Sequence, residues 1–537
     1  MNTKSNIQNT SNRSRWLMMP FIALGVAMII VDATIVNVAL PTMIRDLHLN
    51  SSDAEWTNSI YSLVFGALLI SLGRLGDRFG RRKLFIIGTI IFVLASLLTA
   101  AASNSSILLL GRLIQGIGGA MILPSTLSLV NANFFGKDRG IAFAIWGSTI
   151  GGVAALGPLL GGWLTQSYSW RWAFLINVPT GIVILVGALL LVPESKDENS
   201  GAIGDLVGNL LVILSLGSLV FGLIEAQRYG WWNETSQFQL SSFTWPANTI
   251  SPIPIALAIF AISAIAFIAL EKSKIAKGRP SLIEFSLFSI RSFSAGNIAA
   301  AIVSLGEFGI LFALPLFLQG ARNYTALGTG TILLALALGS FLAGGAVTPL
   351  SKKLGARNVV RIGLGLEVIG ITSLAVAVSP TRSVLWMVPA FLIYGVGVGF
   401  ATSQLTGVIL AELPLDKSGL GSGIQSTSRQ IGSALGIAIL GTVLLSQLAS
   451  TMTKNLNLLH LTSLGPTAQA GIVRELRASA GAAIPTLSHL YNGTLIHTAA
   501  VEAMASATKT AAFTAALFVL IGLFATFLLP KEVDDLS

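Results

Sequence analysis

Runs of about 20 consecutive apolar residues recur along the whole of this 537-residue chain. Each is long enough to carry a helix across the ~30 Å of a bilayer's hydrocarbon. Lipid offers no water to backbone polar groups, so the runs must be helices, and strands with open edges are not expected among them. The composition agrees. The chain is 53% hydrophobic and only 10% charged, with a mean hydropathy of +0.78, too few charges to cover a soluble surface. The fold class is therefore an all-α polytopic membrane protein.

Fourteen spans are predicted, at roughly 16–40, 56–75, 84–102, 107–130, 140–164, 172–192, 206–226, 253–270, 293–318, 327–350, 359–378, 385–411, 419–448 and 508–529. An even count puts both termini on one side. The first run follows Lys4, Arg13 and Arg15, as a signal peptide would. It is too long for one, carries Asp32 and leads into many more spans, so it reads as uncleaved. The net charge is +10. About two-thirds of the Lys and Arg fall in segments assigned to the cytoplasm, so the excess is a topology signal and not a nucleic-acid surface.

Several chemistries are excluded. There is no cysteine, so no disulfide, thiolate metal site or thiol catalysis. His48, His460, His489 and His497 all lie in outer segments, so no histidine relay crosses the membrane. No Walker-type phosphate loop occurs. The chain reads as no enzyme, with neither metal nor cofactor.

The densest local signal is the turn from Gly73 to Lys83, GRLGDRFGRRK. Its glycines allow a tight reversal. Its five cations hold the turn on the cytoplasmic side, and Asp77 is the sole anion among them. It reads either as a plain topology anchor or as a cytoplasmic latch built from Gly73, Asp77, Arg78, Gly80, Arg81 and Arg82.

An internal repeat orders the spans. Asp32–Pro41 (DATIVNVALP) is echoed by Glu307–Pro315 (EFGILFALP), with Asp32 and Glu307 275 residues apart. The basic turn recurs at the same offset as Leu350–Arg357. Leu113–Ala120 (LIQGIGGA) matches Leu392–Gly399 (LIYGVGVG) at an offset of 279, which Gly157 and Gly436 also keep. Spans one to six thus match nine to fourteen, and seven and eight are inserted. The expected organisation is a cytoplasmic tail (1–15), a six-helix bundle (16–193), a linker with two inserted helices (194–271), a cytoplasmic connector (272–292), a second bundle (293–529) with an extended outer loop (449–507), and a tail (530–537). Two related bundles around a shared site are the usual build of a secondary transporter.

These residues resemble the major facilitator superfamily, specifically its fourteen-span drug:proton antiporters. The basic turn is similar to the superfamily's loop signature, and Leu110–Gly119 (LGRLIQGIGG) to its fourth-span motif. Gly147, Gly151, Gly157, Pro158, Gly161 and Gly162 resemble the fifth-span antiporter motif. Asp32–Pro41, Trp170–Pro179 and Ser426–Gly432 resemble segments of the fourteen-span branch. The resemblance implies export of hydrophobic, often cationic compounds in exchange for protons, driven by the proton gradient. It also implies a bacterial cytoplasmic membrane. The second turn departs from the pattern, with Lys352 where the first has Asp77. The outer segment holds a predicted short amphipathic helix near 467–480.

Intramembrane charges are costly and mark ion or substrate paths. Asp32 and Glu307 lie about 24 and about 21 Å along their helices at ~1.5 Å per residue. Both are proton-coupling candidates, because a buried carboxyl can hold either a proton or a cation. Structural roles are the alternative, for Asp32 with Thr34 and Asn37 as local partners. Glu367, in mid-span, is either a third proton site or an acid bonded between helices. Arg112 either pairs with Asp32 or bonds helix carbonyls. Arg429 reads as structural, reaching the cytoplasmic face. Asp205 reads as a helix cap, Glu225 as hydrated and Glu412 as a solvated loop acid. Asn37, Tyr61, Phe65, Phe308 and Phe312 are candidates for lining a substrate cavity, against plain packing for the aromatics; Phe317 is a further aromatic of that kind. The leading expectation is a monomeric, proton-coupled exporter of amphipathic cations, bathed in lipid. A lipid transporter and a non-transporting receptor or scaffold are the alternatives.

Overall fold

The computed structural model describes residues 12–134, 156–196, 205–233, 238–240, 243–245, 250–279, 281–413, 418–459, 465–489 and 492–529, and positions 138, 142, 145, 146 and 149 between them. The main helices are α1 (Asn12–Leu47), α2 (Ser51–Phe79), α3 (Arg81–Ala100), α4 (Ser105–Asn133), α5 (Leu156–Ser167), the four-residue α6 (Trp172–Leu175) and α7 (Asn177–Leu191). The inserted pair is α8 (Leu206–Tyr229) and α9 (Pro252–Ala276). The second half holds α10 (Arg291–Leu316), α11 (Ala326–Leu354), α12 (Ala356–Ala377), α13 (Val388–Leu410), α14 (Ser418–Leu458), α15 (Pro466–Ala478) and α16 (Gly493–Ala525). Among the described residues, 13 helical stretches are long and apolar enough to cross a membrane. The fifth predicted span (140–164) is described as continuous helix only from Leu156.

Local chemistry sets the ends. Asn50 and Asp53 cap α2 reciprocally, each side chain accepting the other's backbone N–H. Asn104 caps α4 and Thr325 caps α11. Gly80 separates α2 from α3 at φ +120°, and Gly355, 275 residues on, separates α11 from α12 at φ +81°. Only glycine takes such a φ without strain, so the repeat seen in sequence is a repeat of backbone geometry.

Helix pairing repeats too. α3 lies along α4, and α12 along α13. The first contact closes over Gly88 and Gly118, the second over Gly363 and Gly397, their repeat mates. A methyl group at Gly118 would stand 2.8 Å from the Phe92 amide, and one at Gly397 2.6 Å from the Glu367 amide. Small residues let helices meet this closely where lipid supplies no hydrophobic drive.

The outward faces carry large apolar side chains, among them Leu190, Ile262, Ile265, Phe341 and Leu342. Such a belt suits lipid and not water. The share of each span buried inside the protein falls from 72% for α10 to 17% for α9. α10 is therefore central, and the inserted pair is peripheral. α8 packs on both α2 and α14, where Ser71 Oγ donates to Asn209 Oδ1 (2.5 Å) and Thr442 Oγ1 to the Leu223 carbonyl (3.2 Å).

Three expectations need correction. The helix predicted to end at Leu448 continues to Leu458, and the last begins at Gly493 instead of Thr508. Met452, Leu456, Ile496 and Ala500 are buried along these extensions. A hydropathy threshold misses them because they are amphipathic. The helix predicted near 467–480 is α15. A short ladder, Gln239–Leu240 with Phe243–Thr244, joins α8 to α9 where no strand was expected; it lies between apolar runs, so its edges need not face lipid.

Candidate functional site

Five helices of the first half converge on Asp32. Its Oδ2 accepts from Arg112 Nη1 at 2.5 Å, and its Oδ1 from Gln115 Nε2 (3.0 Å) and Asn177 Nδ2 (2.8 Å). Arg112 and Gln115 are one turn apart on α4 and so share a face. Gln115 Oε1 accepts from Arg112 Nη1, and Ser96 of α3 accepts from both Gln115 and Asn177. Arg112 Nε donates to the Thr57 carbonyl of α2 at 2.9 Å, and the guanidinium lies 4.4 Å from the Tyr61 ring centre. Asp32, Arg112, Gln115 and Ser96 are fully buried. A buried ion pair is tolerable only when the remaining lone pairs and protons are met. Both oxygens of Asp32 are met, and among the described residues Arg112 Nη2 and the Tyr61 hydroxyl have no hydrogen-bond partner. Thr34 and Asn37 are not its partners: Thr34 bonds carbonyls of its own helix, and Asn37 accepts from Asn58.

The second half repeats the acid but not the network. Glu307 on α10, 5% exposed, faces Arg429 Nη2 of α14 at 3.6 Å, beyond a good hydrogen bond, and its Oε1 has no hydrogen-bond partner among the described residues. Arg429 thus reaches an intramembrane acid. Glu367 on α12 is fully buried against Gly397 of α13, within electrostatic reach of Glu307 and Arg429. Among the described residues neither of its oxygens has a hydrogen-bond partner. Tyr394, the repeat mate of Gln115, is buried nearby. The opposing cation comes from α4 in the first half and from α14 in the second. Asp32 and Glu307 have separate partner sets, each inside its own bundle.

The aromatic candidates are packed. Tyr61 stacks on Phe65 (5.8 Å between centres), and both are buried, as are Phe312 and Phe317; Phe308 is half-buried against the core.

At the basic turn, Glu194 is the anion with defined contacts. Its carboxylate accepts from the Arg82 and Lys83 amides at the start of α3 (3.0 and 3.2 Å), where a helix N-terminus favours negative charge. It lies so close to Gly80 that a methyl there would stand 2.8 Å away. Arg82 donates to the Leu189 carbonyl, and Arg74 to that of Ser281. Gly73 rests on Pro124, and Arg78 lies over Phe79. The Arg81 amide donates to the Ser195 carbonyl. The Asp77 side chain lies outside the described residues.

In the antiporter-motif helix, Gly147 and Gly151 fall outside the described residues. Gly157 abuts Thr34, Gly161 abuts Ile35, and Gly162 meets the Ala326 carbonyl of the other half. The Pro158 carbonyl meets Gly330. Beside them the Leu327 amide donates to Gln166 Oε1 (3.2 Å), and Gln319 Nε2 donates to the Val38 carbonyl (2.8 Å). These contacts join the halves at the end opposite the basic turns. A second seam, between α2 and α14, runs through Thr427 Oγ1 to the Gly66 carbonyl (3.0 Å).

Other acids differ from expectation. Glu225 is buried, its Oε1 accepting from Trp56 Nε1, because α2 packs over the end of α8. Glu412 accepts from Ser292 at 2.5 Å, so it is not simply solvated. Asp205 does cap α8, accepting from the Gly208 amide, and also binds Lys274. Burial works against its charge, but hydrogen bonds with Glu271, Lys274 and Gly208 outweigh it, and the carboxyl is held below its ordinary value. Gln115 and Asn177 lie inside the motif segments Leu110–Gly119 and Trp170–Pro179 but were not singled out there, and Ser96 was missed; as neutral residues they carry no charge signal inside an apolar run. The sequence reading also missed Glu55 and Glu271, each one residue beyond a predicted span end and each buried.

A family model described as Major Facilitator Superfamily matches residues 22–437. The chain is 31% identical to "Multidrug resistance protein Stp" of Mycobacterium tuberculosis (strain CDC 1551 / Oshkosh) over 83% of this chain and 79% of that one. It is 28% identical to the "Tetracenomycin C resistance and export protein" of Streptomyces glaucescens, over 96% and 93%. With the "Multidrug efflux pump LfrA" of Mycolicibacterium smegmatis the identity is 30%, over 80% of each. Among solved structures, a bacterial homolog of the human lysosomal transporter Spinster, inward-facing and unoccupied, superposes with a TM-score of 0.60 over 97% of this chain and 99% of that one. At 14% identity that likeness bears on fold alone.

Proposed function

Because this chain belongs to the major facilitator superfamily, a family of membrane transporters and not of enzymes, we propose that it exports hydrophobic, cationic small molecules in exchange for protons. Similar relatives named for multidrug resistance and antibiotic export support the cargo class. The observation that carries proton coupling is the pair of buried acids in the second half, Glu307 and Glu367, with three carboxyl oxygens that find no hydrogen-bond partner among the described residues. An ionised carboxylate left so is costly, whereas a carboxyl that gains and gives up a proton as Arg429 approaches and withdraws is not.

Asp32 and Arg112 form the matching pair of the first half, closed in this state. Rocking of one half on the other would break the Gln166–Leu327 and Val38–Gln319 contacts at one end and engage the basic turns at the other. On the positive-inside rule the basic end is cytoplasmic, so both termini are cytoplasmic and cargo leaves at the Gln166–Leu327 end.

The test is transport of an organic cation in proteoliposomes under an imposed pH gradient. Wild type should concentrate the cation with the gradient. Asp32→Asn and Glu307→Gln should each lose gradient-driven transport by at least tenfold. Cation movement indifferent to the gradient would overturn the exchange. Coupling retained in both variants would overturn the assignment of these two acids.

A further inference from the structure

One polar cluster plays no part in either acid network. Glu55, in the second turn of α2, is 1% exposed and its Oε2 has no hydrogen-bond partner among the described residues. Glu225, near the end of α8, is 7% exposed; Trp56 holds its Oε1, and the Ser52 side chain also faces its carboxylate. The two acids are within electrostatic reach of each other. Ser59 stands one turn beyond Glu55 on α2, fully buried, its Oγ likewise without a hydrogen-bond partner among the described residues. Helical side chains tilt toward the helix N-terminus, so that hydroxyl leans toward Glu55. Two oxygens unpartnered among the described residues, Glu55 Oε2 and Ser59 Oγ, thus stand near the Glu225 carboxylate.

Four elements meet there. α2 belongs to the first half, α8 to the inserted pair and α14 to the second half, where Gly441 makes room: a methyl group on it would stand 2.7 Å from Glu55 Cδ. The fourth is α15, which touches α2 and whose Arg477 is within electrostatic reach of Glu55. Burial pulls the Arg477 guanidinium below its usual value, and Glu55 is the group that offsets this. Arg228 and Asp53 are the other charges near Glu225. Beyond Arg477 a cavity of about 520 Å³ opens between α14 and α15, lined in part by Thr453, Asn457 and Arg474.

We propose that Glu55 and Glu225 form a binding station for an organic monocation at the exit end, with Arg477 as the resident charge that the cation displaces. So few oxygens do not suit calcium, which takes 6–8. The Trp56 indole and the Tyr229–Phe238 pair (5.2 Å, edge to face) put aromatic surface beside the acids, which suits a planar or quaternary cation. The ligand class rests on the export reading, but the test needs no gradient, so the two fail separately.

The experiment is an equilibrium titration of the purified chain in lipid nanodiscs with ethidium, at one pH on both sides. Glu55→Gln and Glu225→Gln should each weaken one class of ethidium site by about tenfold, the loss of one charge-assisted contact. Arg477→Gln, on a helix outside the predicted spans, should tighten that class, because the competing charge is gone; a merely structural arginine would not act in that direction. Unchanged isotherms in both acid variants at unchanged unfolding temperature would overturn the proposal. So would unchanged or weaker binding in Arg477→Gln, which also decides the matter should the acid variants fail to fold. Loss of proton-driven transport in the acid variants with ethidium binding intact would assign the pair to protons and likewise overturn it.

Discussion

Asp32 and Glu307 occupy the same place in the repeat, yet one is bound on both oxygens and the other is half bare. The difference is one residue's origin: Arg112 rises from α4, whereas Arg429 comes from α14. Removing one member of a buried pair leaves an uncompensated charge, at a cost of about 3–5 kcal/mol. Arg112→Gln should therefore destabilise the protein by about that much, while the double variant Asp32→Asn/Arg112→Gln should recover most of the loss. Unfolding midpoints in detergent measure this, and strictly additive losses would contradict it. Asp32 and Arg112 were legible as charges inside apolar runs. Arg429's aim was not, because which neighbour a helix face meets is decided by packing.

Helix ends follow the same division. Asn50, Asn104, Thr325 and Asp205 are recognisable capping residues, and each caps. Glu194 could not be paired with α3 from sequence, since 112 positions separate it from the Arg82 amide it accepts from. At the start of α8 the capping acid also has a consequence for pH. The Asp205 carboxyl is lower in the folded protein than in the unfolded chain. Its contribution to stability is present above the ordinary carboxylate value and is lost as pH falls through the lowered one. Asp205→Asn should flatten that part of the stability profile, as thermal unfolding across the acid range would reveal; an unaltered acid slope would count against it.

Across the whole molecule, two halves of equal design touch along α2 and α14 and at the Gln166–Leu327 end, and the inserted pair packs on the first of these seams. If transport rocks the halves, that end has to open. The chain has no cysteine, so Gln166→Cys with Leu327→Cys can be bridged cleanly by a short thiol cross-linker. Bridging should reduce transport to background, and cleaving the link should restore it; undiminished transport with the bridge formed would refute rocking about this contact.

By itself the sequence determined an all-helical membrane protein, its twofold repeat and the few charges placed where lipid forbids them, because hydropathy and periodicity act residue by residue along a helix. Only the tertiary structure decided which cation faces which acid. It also decided that Glu55, Glu225 and Glu271 are buried and not wet, and that the helices around the outer loop run on past their apolar cores. Those outcomes depend on which faces meet, and a charge at the end of an apolar run reads the same whether a neighbouring helix covers it or water does.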